Sequence, residues 1–256
     1  MLDILYLDDH LVAINKPSGL LVHRSDIDRH ETRFVLQLLR NQLGQRVYPV
    51  HRLDKPTSGV LVFALSSEIA SQIADQWRER VIDKRYLAIV RGYMPEYVHI
   101  DYAMSPPIDK YAKQPVIKPP QEAITDFRLL ATIELDVEID KYPQSRYSLV
   151  EAMPKTGRKH QIRRHLKHLS HPIICDARYG KGRHSRYFRD HLNAGRLLLH
   201  AWQLHMTHPV TQQPLVFTAP LDNVWWSLVQ RFQWQAQLPE LLAATLPEDN
   251  KERTSV

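Results

Sequence analysis

The chain has 256 residues, 43% of them hydrophobic, and 34 Lys and Arg against 28 Asp and Glu leave a net charge of +6. That length can bury a full core without staples, and the single Cys175 excludes both an internal disulfide and a C-x-x-C zinc pair. No long uncharged apolar run could cross a membrane, no basic leader with an apolar block opens the chain, and eight glycines form no credible nucleotide-binding loop. A soluble, monomeric, cytoplasmic protein with no cofactor is expected, and its basic balance favours a polyanionic partner.

Taken in order, Ile4-Leu5-Tyr6-Leu7, an Asp8-Asp9 turn and Leu11-Val12-Ala13-Ile14 predict a hairpin, closed by the turn segment Asn15-Lys16-Pro17-Ser18-Gly19. Thr32 is placed to cap a helix whose Val35, Leu38, Leu39 and Leu43 follow a 3.6 period, with Gly44 to end it. Residues 60–65, Val-Leu-Val-Phe-Ala-Leu, form a continuous apolar run of strand length, which predicts burial on both faces. Ser66 then caps a helix with Glu68 in its first turn and Ile69, Ile73, Trp77 and Val81 on one side. Residues 84–92 read as a strand, and the five prolines of residues 104–120 read as a loop. Strands are expected again over residues 123–130, 133–137 and 146–153, with a helix carrying Ile162, Leu166 and Leu169 on one face. Residues 196–201 and 215–217 complete the strands, and Val224, Trp225, Leu228 and Phe232 mark a last helix. Residues 1–242 are therefore expected to fold as one α+β domain with a mixed, largely antiparallel central sheet flanked by helices and loops. The polar residues 243–256 are expected to be a disordered tail.

The chemistry concentrates in His51-Arg52-Leu53-Asp54-Lys55-Pro56-Thr57-Ser58-Gly59. Arg52 and Lys55 flank Asp54 and favour its ionised form, which suits a nucleophile or a base. Read by residue type alone, the same segment is also ordinary turn chemistry, with an Asp bonded to its own backbone. The whole nonapeptide resembles the H-R-L-D-(K/R)-x-T-S-G signature of the RluA-type pseudouridine synthases, which implies that Asp54 is the indispensable catalytic residue. Four further segments resemble that family in the family's order. Lys16-Pro17-Ser18-Gly19 with Val22-His23 is similar to its first motif, whose Lys and Pro support the catalytic loop. Lys84-Arg85-Tyr86-Leu87-Ala88 is similar to K-x-Y-x-A, which implies that Tyr86 lies against the target base. Thr156-Gly157-Arg158-Lys159-His160-Gln161-Ile162-Arg163 is similar to T-G-R-x-H-Q-I-R, which implies that Arg163 pairs with Asp54. A bidentate guanidinium there would fix the carboxylate's rotamer and keep it charged. Leu197-Leu198-Leu199-His200-Ala201 is similar to L-x-L-H-A. Residues 173–180 also resemble the family's I-x-G-D-x-x-Y-G, with Cys175 in the Gly position as a small buried hydrophobe.

The resemblance implies isomerisation of uridine to pseudouridine in RNA, by flipping the nucleotide out, breaking N1–C1′ and rejoining through C5, without a cofactor. It runs closest to members that act on tRNA, at uridine 65 of the T-stem, with ribosomal RNA as the alternative target. Arg52, Lys16, His51, Arg158, Lys159 and Arg164 are the candidate RNA contacts. No metal site is expected from His165, His168 and His171, whose spacing supplies no clean fourth ligand. An RNA uridine methyltransferase would need a Cys nucleophile and a Gly-rich loop, and a glycosidase a second acid across the bond. A non-catalytic RNA-binding protein is the remaining alternative.

Overall fold

The computed structural model describes residues 1–23, 31–106 and 118–243. The hairpin forms as expected from β1 (Asp3–Leu7) and β2 (Leu11–Lys16). Next comes α1 (Val35–Leu43), which stops at Gly44 in the left-handed region, at φ 68°. Its start corrects the sequence reading. Phe34, not Thr32, is the N-cap, and no side chain caps it. The first amides of the helix instead donate to backbone carbonyls, Val35 to Leu21 at 2.9 Å and Leu36 to Val22 at 3.0 Å.

The short β3 (Tyr48–Pro49) precedes β4 (Ser58–Ala64), whose seven residues are all buried. Alternate side chains explain the continuous apolar run. Val60 and Val62 pack with Ile69 and Ile73 on one face, while Leu61 and Phe63 pack with Val35 and Leu39 on the other. Each such side chain, fully buried, is worth about 1.5–3 kcal/mol. α2 (Ser67–Glu79) is capped by Ser66, whose hydroxyl accepts from the Ile69 amide. It ends at Arg80, φ 61°, so Val81 lies beyond the helix and is exposed.

β5 (Asp83–Arg91) follows, then β6 (Tyr97–Asp101), an edge strand the sequence did not signal. The two strands expected near residues 123–137 are one, β7 (Ile124–Leu135), interrupted only by a bulge between Leu129 and Ala131. β8 (Ser145–Pro154), α3 (Gln161–His168), the unanticipated α4 (Gly182–Leu192), β9 (Leu199–Thr207), β10 (Pro214–Thr218), α5 (Asn223–Arg231) and α6 (Glu240–Ala243) follow among the described residues. Of the expected loop, residues 107–117 lie outside the described residues, but its flanks are pinned where Met104 and Gln121 exchange two backbone bonds. The expected tail also lies outside them, apart from Ala243 at the end of α6.

The ten strands make one mixed sheet in the order β1-β2-β4-β9-β5-β8-β7-β6, with β10 on β9 and β3 on β4. Every pairing is antiparallel except β4 with β9. At that parallel contact Gly59 faces Ala201, and Ala201 faces Tyr86 on its other side. One row across three strands thus sets the backbones of Gly59, on the chain leaving Asp54, and Tyr86 about 10 Å apart, two strand spacings. Gly59 is required there, because a Cβ would lie 2.1 Å from the Ala201 carbonyl oxygen and φ is +113°.

Candidate active site

Asp54 lies in a cavity of about 410 Å³ whose walls include Tyr86, Arg163, His160, Lys84 and Trp77. The loop that carries it is tied down from behind. The Thr57 amide closes a turn onto the Asp54 carbonyl at 3.0 Å, and the Gly19 amide and Ser18 hydroxyl donate to the carbonyls of Lys55 and Pro56. Lys16 is fully buried, and its ammonium donates to the carbonyls of Pro17, Leu20 and Lys55 at 2.8, 2.9 and 3.1 Å. Burial, with Arg196 adding, pulls its pKa down to about 7. Lys16 therefore braces the loop, and its expected contact with RNA is corrected, since no part of it reaches the surface.

Arg163, in the first turn of α3, donates to Asp54 Oδ2 through Nη1 at 3.0 Å. The expected fork is not on Asp54 but on Asp176, reached by Nε at 2.7 Å and Nη2 at 2.9 Å. The Asp176 carboxylate is fully enclosed, and Oδ1 also accepts the amides of Arg178 and Tyr179. Burial alone would favour the neutral acid, but the hydrogen bonds and charge of Arg163, then the two amides, hold Asp176 below its ordinary range. Burial likewise opposes the Arg163 charge, and Asp176 followed by Asp54 overcomes it, so the guanidinium keeps its proton more firmly than usual. Asp176 sits in the motif of residues 173–180, and that motif was the sequence signal available for it. The same segment places Cys175 at φ 60° in the position where the family has Gly, with its thiol donating to the Ala194 carbonyl. Burial raises that thiol to about 11.

His160 precedes α3 in the left-handed conformation, φ 57°, with Nε2 3.7 Å from Asp54 Oδ2 and Nδ1 3.1 Å from the Tyr179 hydroxyl. Burial lowers its pKa to about 4 against the pull of Asp54, so the ring is neutral at pH 7. Burial, then the charge of Asp54, raises the Tyr86 phenol above its ordinary range, so Tyr86 offers the pocket a protonated aromatic wall. Gln161 organises the turn, accepting from the Thr156 hydroxyl and the Arg158 amide while donating to Ile124 and Thr125.

The expected RNA contacts divide. Arg52 and Lys159 are exposed at the mouth of the cavity, and Arg158 lines it with Nε donating to the Glu122 carbonyl. Arg164 is half-buried and donates to the Ser105 carbonyl, at the base of the proline-rich segment. His51 is corrected. Its Nε2 accepts the Val62 amide at 2.9 Å, its ring packs on Trp77, and burial with nearby Lys84 lowers its pKa to about 3, so it is a neutral peg. Lys84 was missed. It lies over the Trp77 ring, and a second groove of about 360 Å³, shared with Arg78, Arg80 and Lys155, continues the cationic lining away from Asp54. Of the three histidines read for metal, His165 bonds Thr125 and Tyr102, His168 stacks on Tyr102, and His171 bonds the Arg91 carbonyl. Among the described residues no group of three or more His, Cys, Asp or Glu could hold a metal ion.

A mixed sheet with a clamped carboxylate under an aromatic wall and a cationic rim is the architecture of an enzyme that acts on RNA bases. The RNA pseudouridylate synthase family model matches residues 10–168, and the chain belongs to that family. Bacterial relatives bearing the name tRNA pseudouridine synthase C include two of high identity. That of Vibrio cholerae serotype O1 is 53% identical over 93% of this chain and 98% of its own length. That of Pasteurella multocida is 52% identical over 91% and 97%. Among solved structures, Human RNA Pseudouridylate Synthase Domain Containing 4 superposes with a TM-score of 0.66 at 28% identity, over 90% of this chain and 93% of that one. Human RNA Pseudouridylate Synthase Domain Containing 1 gives 0.66 at 26% identity, over 91% and 95%.

Proposed function

We propose that this protein is a cofactor-independent isomerase that converts uridine to pseudouridine in tRNA, at position 65 of the T-stem, and works as a cytoplasmic monomer. Its catalytic domain is residues 1–242. The bacterial relatives named for tRNA support the substrate. The observation that carries the chemistry is the Asp54 carboxylate, held by one Arg163 bond in a cavity of about 410 Å³ with part of its side chain open to that space. A uridine in a helix hides its glycosidic bond, so the enzyme extrudes the nucleotide, and Tyr86 gives the base a ring to replace lost stacking. Arg52, Arg158 and Lys159 at the mouth, with Lys84 and Lys155 beyond, face the phosphates.

Asp54 then engages the ribose, as nucleophile at C1′ or as base on the sugar, N1–C1′ breaks, and the uracil turns to rejoin through C5. The test uses tRNA and ribosomal RNA transcripts carrying tritium at uracil C5. Native protein is expected to release label from tRNA, mapped to position 65, and Asp54→Ala to release none while still binding. Equal release from both proteins removes Asp54 from the mechanism, and release from ribosomal RNA alone reassigns the substrate.

A further inference from the structure

Pseudouridine formation moves one proton from C5 to N1, so the site needs a base after the new C–C bond has formed. We infer that the imidazole of His160 is that base, taking the C5 proton on Nε2. This rests on the reading of Asp54 as the group that engages the sugar. When C5 is bonded to C1′, the departing hydrogen lies two bonds from C1′, the sugar atom beside which Asp54 acts. A base must come within about 2.6–3.2 Å of the atom it deprotonates. His160 Nε2 lies 3.7 Å from Asp54 Oδ2, beside the carboxylate that engages the sugar and on the same cavity wall.

The other groups of the cavity are unsuited. Arg163 is charged and bound to two carboxylates. The Tyr86 phenol is held protonated, and phenols are weak acceptors in that form. His51 has its Nε2 filled by the Val62 amide. Lys84 lies over Trp77 with its ammonium 3.4 Å from the Thr156 carbonyl.

His160 is neutral at pH 7 and is oriented by Tyr179. With the hydrogen on Nδ1 donated to the Tyr179 hydroxyl at 3.1 Å, the Nε2 lone pair faces the cavity. The C5–H electron pair returns to the ring as a C=C bond, and the proton lodges on Nε2. The Asp54 carboxylate beside it stabilises the imidazolium, against the charges of Arg163, Lys159 and Arg178. His160 then gives that proton up to water and N1 takes one from water, leaving His160 and Asp54 as they began.

The variants His160→Asn and His160→Gly suit the test, because both residue types accept the left-handed backbone at φ 57°. Tritium release from tRNA is expected to fall about 10²-fold or more in each, with RNA binding retained. Substrate carrying deuterium at C5 separates chemistry from structure. The isotope effect should rise in His160→Asn, because C5 deprotonation becomes rate-limiting, and free imidazole should restore release to His160→Gly. Native rates in either variant, or slow turnover with an unchanged isotope effect and no rescue, overturn the assignment. Activity in Asp54→Ala would instead sink the reading beneath it, so the two failures are distinguishable.

Discussion

Arg163 divides itself unequally between two carboxylates, and the division assigns their roles. Asp176 receives two guanidinium bonds and two amides and is sealed from solvent, so it is an anchor. Asp54 receives one bond and keeps 21% of its side chain exposed, with Oδ1 unbonded to any described residue. Arg163→Lys should therefore fail to rescue function, because a point-like ammonium cannot bridge both acids. Its tritium release is expected to drop about 10²–10³-fold, a loss typical of removing one fixed charge-stabilising donor. Release near the native rate would show that charge without geometry suffices. Asp176→Asn removes a partner from a buried pair, a change that costs about 3–5 kcal/mol. The native Asp176 pKa is lowered, so its stabilisation is present above the unfolded value and is lost as pH falls through the folded one. Urea midpoints of Asp176→Asn should thus lie well below native at pH 7, with the gap narrowing in acid; a constant gap would refute the linkage.

At the scale of elements, the catalytic loop depends on a strand end far away in sequence. Lys16 closes β2, and its three bonds to carbonyls join the first turn segment to the carbonyl of Lys55. Lys16→Met keeps the buried stem but removes the donor, leaving carbonyls unpaired at about 1–3 kcal/mol each. Turnover is expected to fall, while tRNA affinity and its dependence on salt stay native, since a fully buried lysine neutralises no phosphate. A smaller salt slope in filter binding would return Lys16 to the RNA interface. A different element, α4, shows how a helix escapes a periodicity search. Its buried stripe is His184, Phe188 and Leu192, and the first of these is a histidine bonded to the Tyr147 hydroxyl and to Arg91. Only the partners on β5 and β8 make that position an inward one.

Across the whole molecule, burial holds several imidazoles neutral. His51 is lowered to about 3, and His160, His184 and His200 to about 4, in each case chiefly by desolvation. An unfolded histidine titrates near 6.5, so between there and about 4 the unfolded chain binds protons that the fold refuses. Stability therefore falls as pH falls through that window. The melting temperature is expected to be lower at pH 5 than at pH 7.5; an unchanged value would mean that these rings protonate in place.

The sequence by itself determined the hairpin, the doubly buried β4, the Ser66 cap and the adjacency of His51 to Gly59, because each rests on neighbours in the chain and on periods of two or 3.6 residues. Its motifs also marked Asp54, Tyr86 and Arg163 as members of one site. Only the tertiary structure decided who touches whom within it. Asp176 lies 122 residues after Asp54 in number, yet both meet one guanidinium. Lys16 is a cation by type and became a brace because the fold withdrew it from water, while His51 became a neutral peg through the Val62 amide on its Nε2 and its desolvated ring. Burial and through-space charge are properties of the packed chain, and local residue type cannot express them.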